Sequence, residues 1–224
     1  MIGPDGDNGD DIIGATWEVL KSGRTTDVAP THHTLEYPSM SVADLAENWA
    51  GVTANLERNF NSSNQAGVAE IGHEVARATK RCGGTQIVLA GYSQGAWVID
   101  LYVRQAKIRH PEALKKIAAV ELYGDPQWDH DSNGRGLARI ASQYVSAWKL
   151  SGDYPGFGDR IQSLCANKDP ICGDGYKPVS GVVSWAQGVD AIKCVTDSEC
   201  GHYLYKPTST SQGGNFLASK VYPK

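Results

Sequence analysis

The hydrophobic pattern changes period several times along the chain. Ile12 to Leu20 places apolar residues at 12, 13, 17, 19 and 20, which predicts a short helix ended by Gly23. The Gly/Asp-rich residues 1–11 before it read as loop. His33-Thr34-Leu35-Glu36-Tyr37 alternates and stops at Pro38, the pattern of a short strand. Ala43 to Phe60 and Gly67 to Arg81 carry helical spacing, the second with Val68, Ile71, Val75 and Ala78 on one stripe. Ile87 to Ala90 and Ile117 to Tyr123 are apolar runs of the buried-strand type, and Gln94 to His110 between them predicts a helix. Further on, Ser142 to Leu150 and Asp159 to Leu164 fit strand or helix, Val179 to Ile192 is mixed, and Phe216 to Val221 fits a terminal helix.

Strands alternating with helices imply an α/β fold, a three-layer sandwich with a mostly parallel central sheet flanked by helices. A chain of 224 residues suits one domain over 1–224 with a single large core. Apolar residues at 41% and charged residues at 21% are ordinary for a globular protein. The net charge of −4 argues against nucleic acid or an anionic membrane as the main partner. No apolar run reaches the ~18 residues of a spanning helix. The opening Met1-Ile2-Gly3-Pro4-Asp5-Gly6-Asp7 lacks the pattern of an export signal.

The cysteines point to an oxidising compartment. Cys165 and Cys172 are spaced Cys-x6-Cys, and Cys194 and Cys200 are spaced Cys-x5-Cys, neither of which suits a common zinc site. Two short disulfide loops are the expected arrangement. Cys82 is left over, either as a free buried thiol or as the partner of a cysteine outside this sequence.

Candidate chemistry centres on Gly91-Tyr92-Ser93-Gln94-Gly95, which follows the Ile87–Ala90 run directly and opens the next helix. Strand, sharp turn and helix in that order are what a nucleophile elbow needs, with Gly91 and Gly95 allowing close approach. A serine hydroxyl needs a histidine to take its proton and a carboxylate to orient that histidine. Chain order in elbow hydrolases is Ser, acid, His. That removes His32, His33 and His73, while His110 lies about four turns away along the predicted helix. His130 sits in a Gly/Asp-rich loop with few aspartates before it. His202, in Cys200-Gly201-His202-Tyr203, follows every acid candidate and is the choice.

Asp125, Asp153, Asp169 and Asp174 are in range as the acid. Asp125 follows a strand directly, in a Gly-Asp-Pro that also reads as a structural turn. Asp169 lies inside the loop that a Cys165–Cys172 bond would close, an effect worth roughly 2.5 kcal/mol on the entropic account. The same closure would hold the carboxylate in one place, and misplacement by about 1 Å is costly in catalysis. Spacing alone favours Asp169 and leaves Asp125 open.

Several motifs in order resemble the cutinase family of serine esterases. They are Gly91-Tyr92-Ser93-Gln94-Gly95-Ala96 with Cys82 upstream, Gly124-Asp125-Pro126, Cys165-x3-Asp169-Pro170-Ile171-Cys172, and His202 before Tyr203-Leu204-Tyr205. The resemblance runs from about Tyr37 to Tyr205. It implies a small α/β-hydrolase with Ser93 as nucleophile, Asp169 as acid and His202 as base, acting on carboxylic esters or polyesters without cofactor or metal. Relatives with this pattern also include acetylxylan esterases and esterases of mycobacterial envelope lipids. The backbone N–H of Gln94, just after the nucleophile, is the expected oxyanion donor.

Two departures from the family pattern stand out. The family's opening strand, with an Arg-Gly-Ser/Thr-like turn and a cysteine to pair with Cys82, has no counterpart in this sequence. Pro4 to Asp11 resembles what usually follows that strand, so the natural N-terminus, with any export signal, is expected to lie outside this sequence. Losing a second oxyanion donor would cost about 3 kcal/mol in the transition state. The other departure is the 32 residues between Asp169 and His202, of which 173–201 read as an extended excursion near the site. They hold Tyr176, Val179, Trp185 and Val189, either a stapled surface segment or an apolar wall beside the serine.

Asp129-His130-Asp131-Ser132-Asn133-Gly134 matches half a calcium loop, but Ile140 stands where the bidentate Glu belongs, so a solvated turn is the expectation. His32-His33 reads as polar surface, and Asn61-Ser62-Ser63 is a glycosylation sequon by pattern alone. Trp17, Trp49, Trp97, Trp128, Trp148 and Trp185 are expected in cores rather than as a sugar platform. The chain is thus expected to be a secreted, monomeric serine esterase acting on a lipid, polyester or acylated polysaccharide. The competing expectation is a hydrolase-like fold that binds lipid or surface without turnover.

Overall fold

Three parallel strands position everything that follows. The computed structural model describes residues 6–25, 27, 29–39, 54–126, 157–166, 169, 172, 201–205 and 207–222. Among these, β1 (Ile87–Tyr92), β2 (Ile117–Tyr123) and β3 (Ile161–Leu164) form a sheet in the order β1-β2-β3. Tyr92 pairs with Tyr123, and Tyr123 with Leu164, so the three strands end level at their C-terminal edge. That edge is where open α/β sheets bind ligands.

Five helices are described: α1 (Gly6–Ser22), α2 (Ala54–Arg81), α3 (Gln94–Arg109), the single turn α4 (Pro111–Leu114) and α5 (Thr208–Val221). One face of the sheet, with Leu89, Val120 and Leu122, packs on Ile71 and Val75 of α2 and on Val98, Ile99 and Tyr102 of α3. The other face, with Val88, Ala90 and Ala119, packs on Leu20 of α1 and on Leu217 and Ala218 of α5. Both faces are covered, which explains why β1 reads as a nearly continuous apolar run. Each fully buried aliphatic side chain, such as Ile71 or Val98, contributes ~1.5–3 kcal/mol. The expected three-layer α/β architecture is what the structure shows.

Four local expectations need correction. Residues 6–11 are helix rather than loop, because α1 begins at Gly6. Asp10 and Asp11 suit the positive end of a helix, and Ile12 and Ile13 just beyond are buried and anchor it. The helical stretches on either side of residue 60 are one helix, α2, from Ala54 to Arg81. Gly67 does not break it; a Cβ there would lie 2.7 Å from Val98 Cγ1, so the glycine lets α2 and α3 approach. His33–Tyr37 is not strand, because among the described residues no neighbour supplies the ladder that alternation alone cannot. Leu35 still buries its side chain in the core. Finally, Cys82 is exposed, which removes the buried-thiol alternative and leaves the other, a partner outside this sequence, as an expectation.

Asp159–Leu164 divides into a 3-10 turn over Gly158–Arg160 and strand β3, and the terminal helix starts earlier than expected, at Thr208. Trp97 lies in the core, and no described helix is long and apolar enough to cross a membrane. The expectations on 43–53, the 129–134 loop, Ser142–Leu150, Asp153, Asp174, the 173–200 excursion, Cys194 and Cys200, and Trp49, Trp128, Trp148 and Trp185 lie outside the described residues.

Candidate active site

Ser93 sits between β1 and α3 with φ 54 and ψ −122, the only non-glycine of positive φ among the described residues. Such a conformation costs of order 1–3 kcal/mol and persists only where its surroundings enforce it. They do so here through two main-chain bonds: Ser93 N–H donates to Tyr123 O at 2.9 Å, and Trp97 N–H donates to Ser93 O at 3.1 Å. Gly91 is required by the tightness of the turn, since a Cβ there would stand 2.6 Å from Gly95 O. The turn leaves Ser93 half-buried.

Gln94 opens α3, at the positive end of the helix. Its side chain is buried. Nε2 donates to Ser63 Oγ and to Asn64 Oδ1, both at 2.9 Å, tying the elbow to α2. Sequence reasoning gave Gln94 only its backbone; the clamp to Ser63 and Asn64 depends on packing between α2 and α3.

His202 lies in a 3-10 turn, Gly201–Tyr203, and Asp169 follows β3; both are 1% exposed. His202 Nε2 is 2.9 Å from Ser93 Oγ, and Nδ1 is 2.9 Å from Asp169 Oδ2. A carboxylate only accepts, so Nδ1 carries the proton and a neutral ring leaves Nε2 free to accept from the serine hydroxyl. Tyr92 stacks on the imidazole at 4.8 Å, and its hydroxyl donates to the His202 carbonyl at 2.7 Å. The carboxylate facing Nδ1 is thus that of Asp169, while Asp125 is buried in the turn after β2.

Asp169 is fixed from its own loop. Its N–H donates to Ala166 O at 3.0 Å, and a disulfide joins Cys165 to Cys172 with their Cα atoms 5.6 Å apart. Cys165, Asp169 and Cys172 are the one compact group of metal-type donors among the described residues. With both sulfurs bonded to each other, no thiolate remains to hold an ion. Burial, and then the charge of Asp169, push the Tyr205 phenol far above its ordinary range. Burial alone raises the Glu121 carboxyl on β2 well above the usual carboxylate value.

An array of this kind can abstract a proton from Ser93 and present the oxygen to an electrophilic carbon. The chain is 30% identical over 162 residues to the phospholipase Culp4 of Mycobacterium tuberculosis, a match covering 69% of this chain and 55% of that protein. It is 27% identical over 207 residues to the probable carboxylesterase Culp7 of the same organism, covering 87% and 93%. In fold it is similar to an acetyl xylan esterase (TM-score 0.64, 19% identity, 98% of this chain and 95% of the other). It is likewise similar to the catalytic core of acetyl xylan esterase from Trichoderma reesei (TM-score 0.55, 18% identity, 92% and 90%). The chain thus spans only about half the length of the first relative and nearly all of the second. The family described as Cutinase matches residues 43–221, from before α2 to the end of α5, and the chain belongs to that family.

Proposed function

We propose that this protein hydrolyses carboxylic esters through an acyl-enzyme on Ser93. The observation that carries the reading is the continuous relay from Ser93 Oγ to His202 Nε2 and from Nδ1 to Asp169 Oδ2, each step 2.9 Å, on a strained elbow. In this reading His202 takes the serine proton as Oγ attacks the carbonyl carbon. Asp169 holds the tautomer and stabilises the imidazolium that forms. The Gln94 N–H, at the start of α3, faces the developing oxyanion. His202 then returns the proton to the leaving alcohol, and water, activated by the same histidine, releases the acid.

The substrate class follows from the family and from the relatives' names: lipid esters, polyesters or acylated polysaccharides. The Cys165–Cys172 bond supports a role in an oxidising, extracytoplasmic setting. A single folded unit over 1–224 acting as a monomer completes the proposal. The test is hydrolysis of p-nitrophenyl acetate, butyrate and palmitate by the protein and by Ser93→Ala. Turnover lost in the variant supports the reading, and the ranking of the three esters assigns acyl length. Turnover retained in Ser93→Ala removes Ser93 from the mechanism.

A further inference from the structure

Asp169 Oδ2 is shared. Besides His202 Nδ1 at 2.9 Å, it accepts from the Tyr205 hydroxyl at 2.5 Å. The direction of that bond is fixed by its surroundings. Ala166 N–H donates to the Tyr205 oxygen at 3.1 Å. Cys172 Sγ, also 3.1 Å away, is bonded in the disulfide and has no hydrogen to give. The phenol proton therefore goes to the carboxylate. The ring is fully buried and held edge-on by Tyr92 at 5.9 Å and by Tyr123 at 5.7 Å.

We propose that Tyr205 is a positioning residue of this site, fixing the Asp169 carboxylate and moderating its charge, and thereby setting the pH at which His202 accepts the serine proton. The inference rests on the roles given above to Ser93, His202 and Asp169. A carboxylate that receives two hydrogen bonds at one oxygen cannot rotate away from the imidazole without breaking both. It is also less basic than a carboxylate bonded to the imidazole alone, because a donor stabilises the charged form. Tyr205 touches no substrate; it acts through Asp169. The phenol's upward shift, from burial and then from Asp169, keeps it a donor throughout the neutral range.

Among the described residues, titratable groups lie near the pair on several elements. His202 in its 3-10 turn, Tyr92 at the end of β1 and Tyr123 on β2 face the Tyr205 ring, and Glu121 acts on Tyr123; Asp125 is buried in the turn that follows β2. Without the phenol, Asp169 becomes more basic and holds the imidazolium more firmly. His202 then stays protonated to higher pH, and the acid limb of the pH profile moves up. A stronger donor at 205 moves it down.

The experiment reads kcat/KM against pH for p-nitrophenyl butyrate in the protein, in Tyr205→Phe, and with 3-fluorotyrosine placed at position 205. Labelling of Ser93 by a fluorophosphonate is measured first; its absence would overturn the parent reading, and this one with it, before Tyr205 is tested. Tyr205→Phe is expected to lower kcat/KM about ten- to a hundredfold, the range for a lost hydrogen bond to a charged group, and to raise the acid-limb midpoint. Fluorotyrosine, a stronger donor of nearly the same shape, is expected to lower the midpoint with little loss of rate. Loss of activity with both midpoints unmoved assigns Tyr205 a packing role and overturns the proposal. Should Tyr205→Phe fail to fold, the fluorotyrosine protein decides the matter by itself.

Discussion

The His202 imidazole packs on bare backbone at Gly124. A Cβ at that position would lie 2.9 Å from His202 Cε1 and 3.0 Å from Nδ1, and 3.1 Å from Asp169 Oδ2. Gly124 also has φ +59, the left-handed region that side chains avoid. Tyr123 lies just before it and Asp125 just after, so the turn that ends β2 forms one wall of the relay. A residue that reads as turn punctuation is a steric requirement of the site.

Gly124→Ala should therefore damage function more than stability. The backbone term is about 1–2 kcal/mol, from the left-handed conformation. The larger effect is displacement of His202 from Ser93, for which about a hundredfold loss in kcat is expected. Thermal unfolding together with steady-state kinetics separates the two. A fall in melting temperature with kcat unchanged would contradict the contact.

Glu121 makes stability depend on pH. It is fully buried on β2, and among the described residues neither carboxylate oxygen has a hydrogen-bond partner. Burial raises its folded value well above the usual carboxylate range, so the folded state keeps the proton while the unfolded chain gives it up. Its stabilising contribution is full below the unfolded value and is lost as pH rises toward the folded one. Glu121→Gln, which mimics the protonated group, should change stability little at pH 4 and raise it at pH 8. Equal effects at the two values, read by denaturant unfolding, would show that Glu121 is not protonated in the fold.

The Cys165–Cys172 bond closes the loop that carries Asp169. Replacing both cysteines by serine should cost roughly 2.5 kcal/mol of stability on the entropic account. Activity should fall further than stability predicts, because Asp169 loses its tether while α2, α3 and the elbow keep theirs. The check is kcat measured well below the variant's melting temperature. Full kcat there would make the bond structural alone.

The local features of this fold were legible where a pattern and its neighbours agree. Ile117–Tyr123 is β2 residue for residue, and the order of strand, Gly91-x-Ser93 and helix locates the elbow, because both faces of β1 and β2 are covered. The start of α1 was not legible. Its first residues are poor helix formers, and the buried Ile12 and Ile13 that hold it act through tertiary packing. His33–Tyr37 failed in the opposite way, since alternation specifies a face but not a partner strand. The expectation of Ser93, Asp169 and His202, which the structure brings within hydrogen-bond distance, followed from chain order, spacing and family resemblance. Tyr205 did not, because its contact with Asp169 crosses 36 residues of sequence, and an aromatic residue near a histidine carries no sign of which carboxylate it meets.

The account stands on an activated Ser93, and its most direct test is intact mass after treatment with a fluorophosphonate, for the protein and for Ser93→Ala. The 2.9 Å approach of His202 Nε2 to Ser93 Oγ predicts a single adduct that is absent from the variant. Folded protein that takes up no adduct, or a variant that takes up the same one, would contradict it.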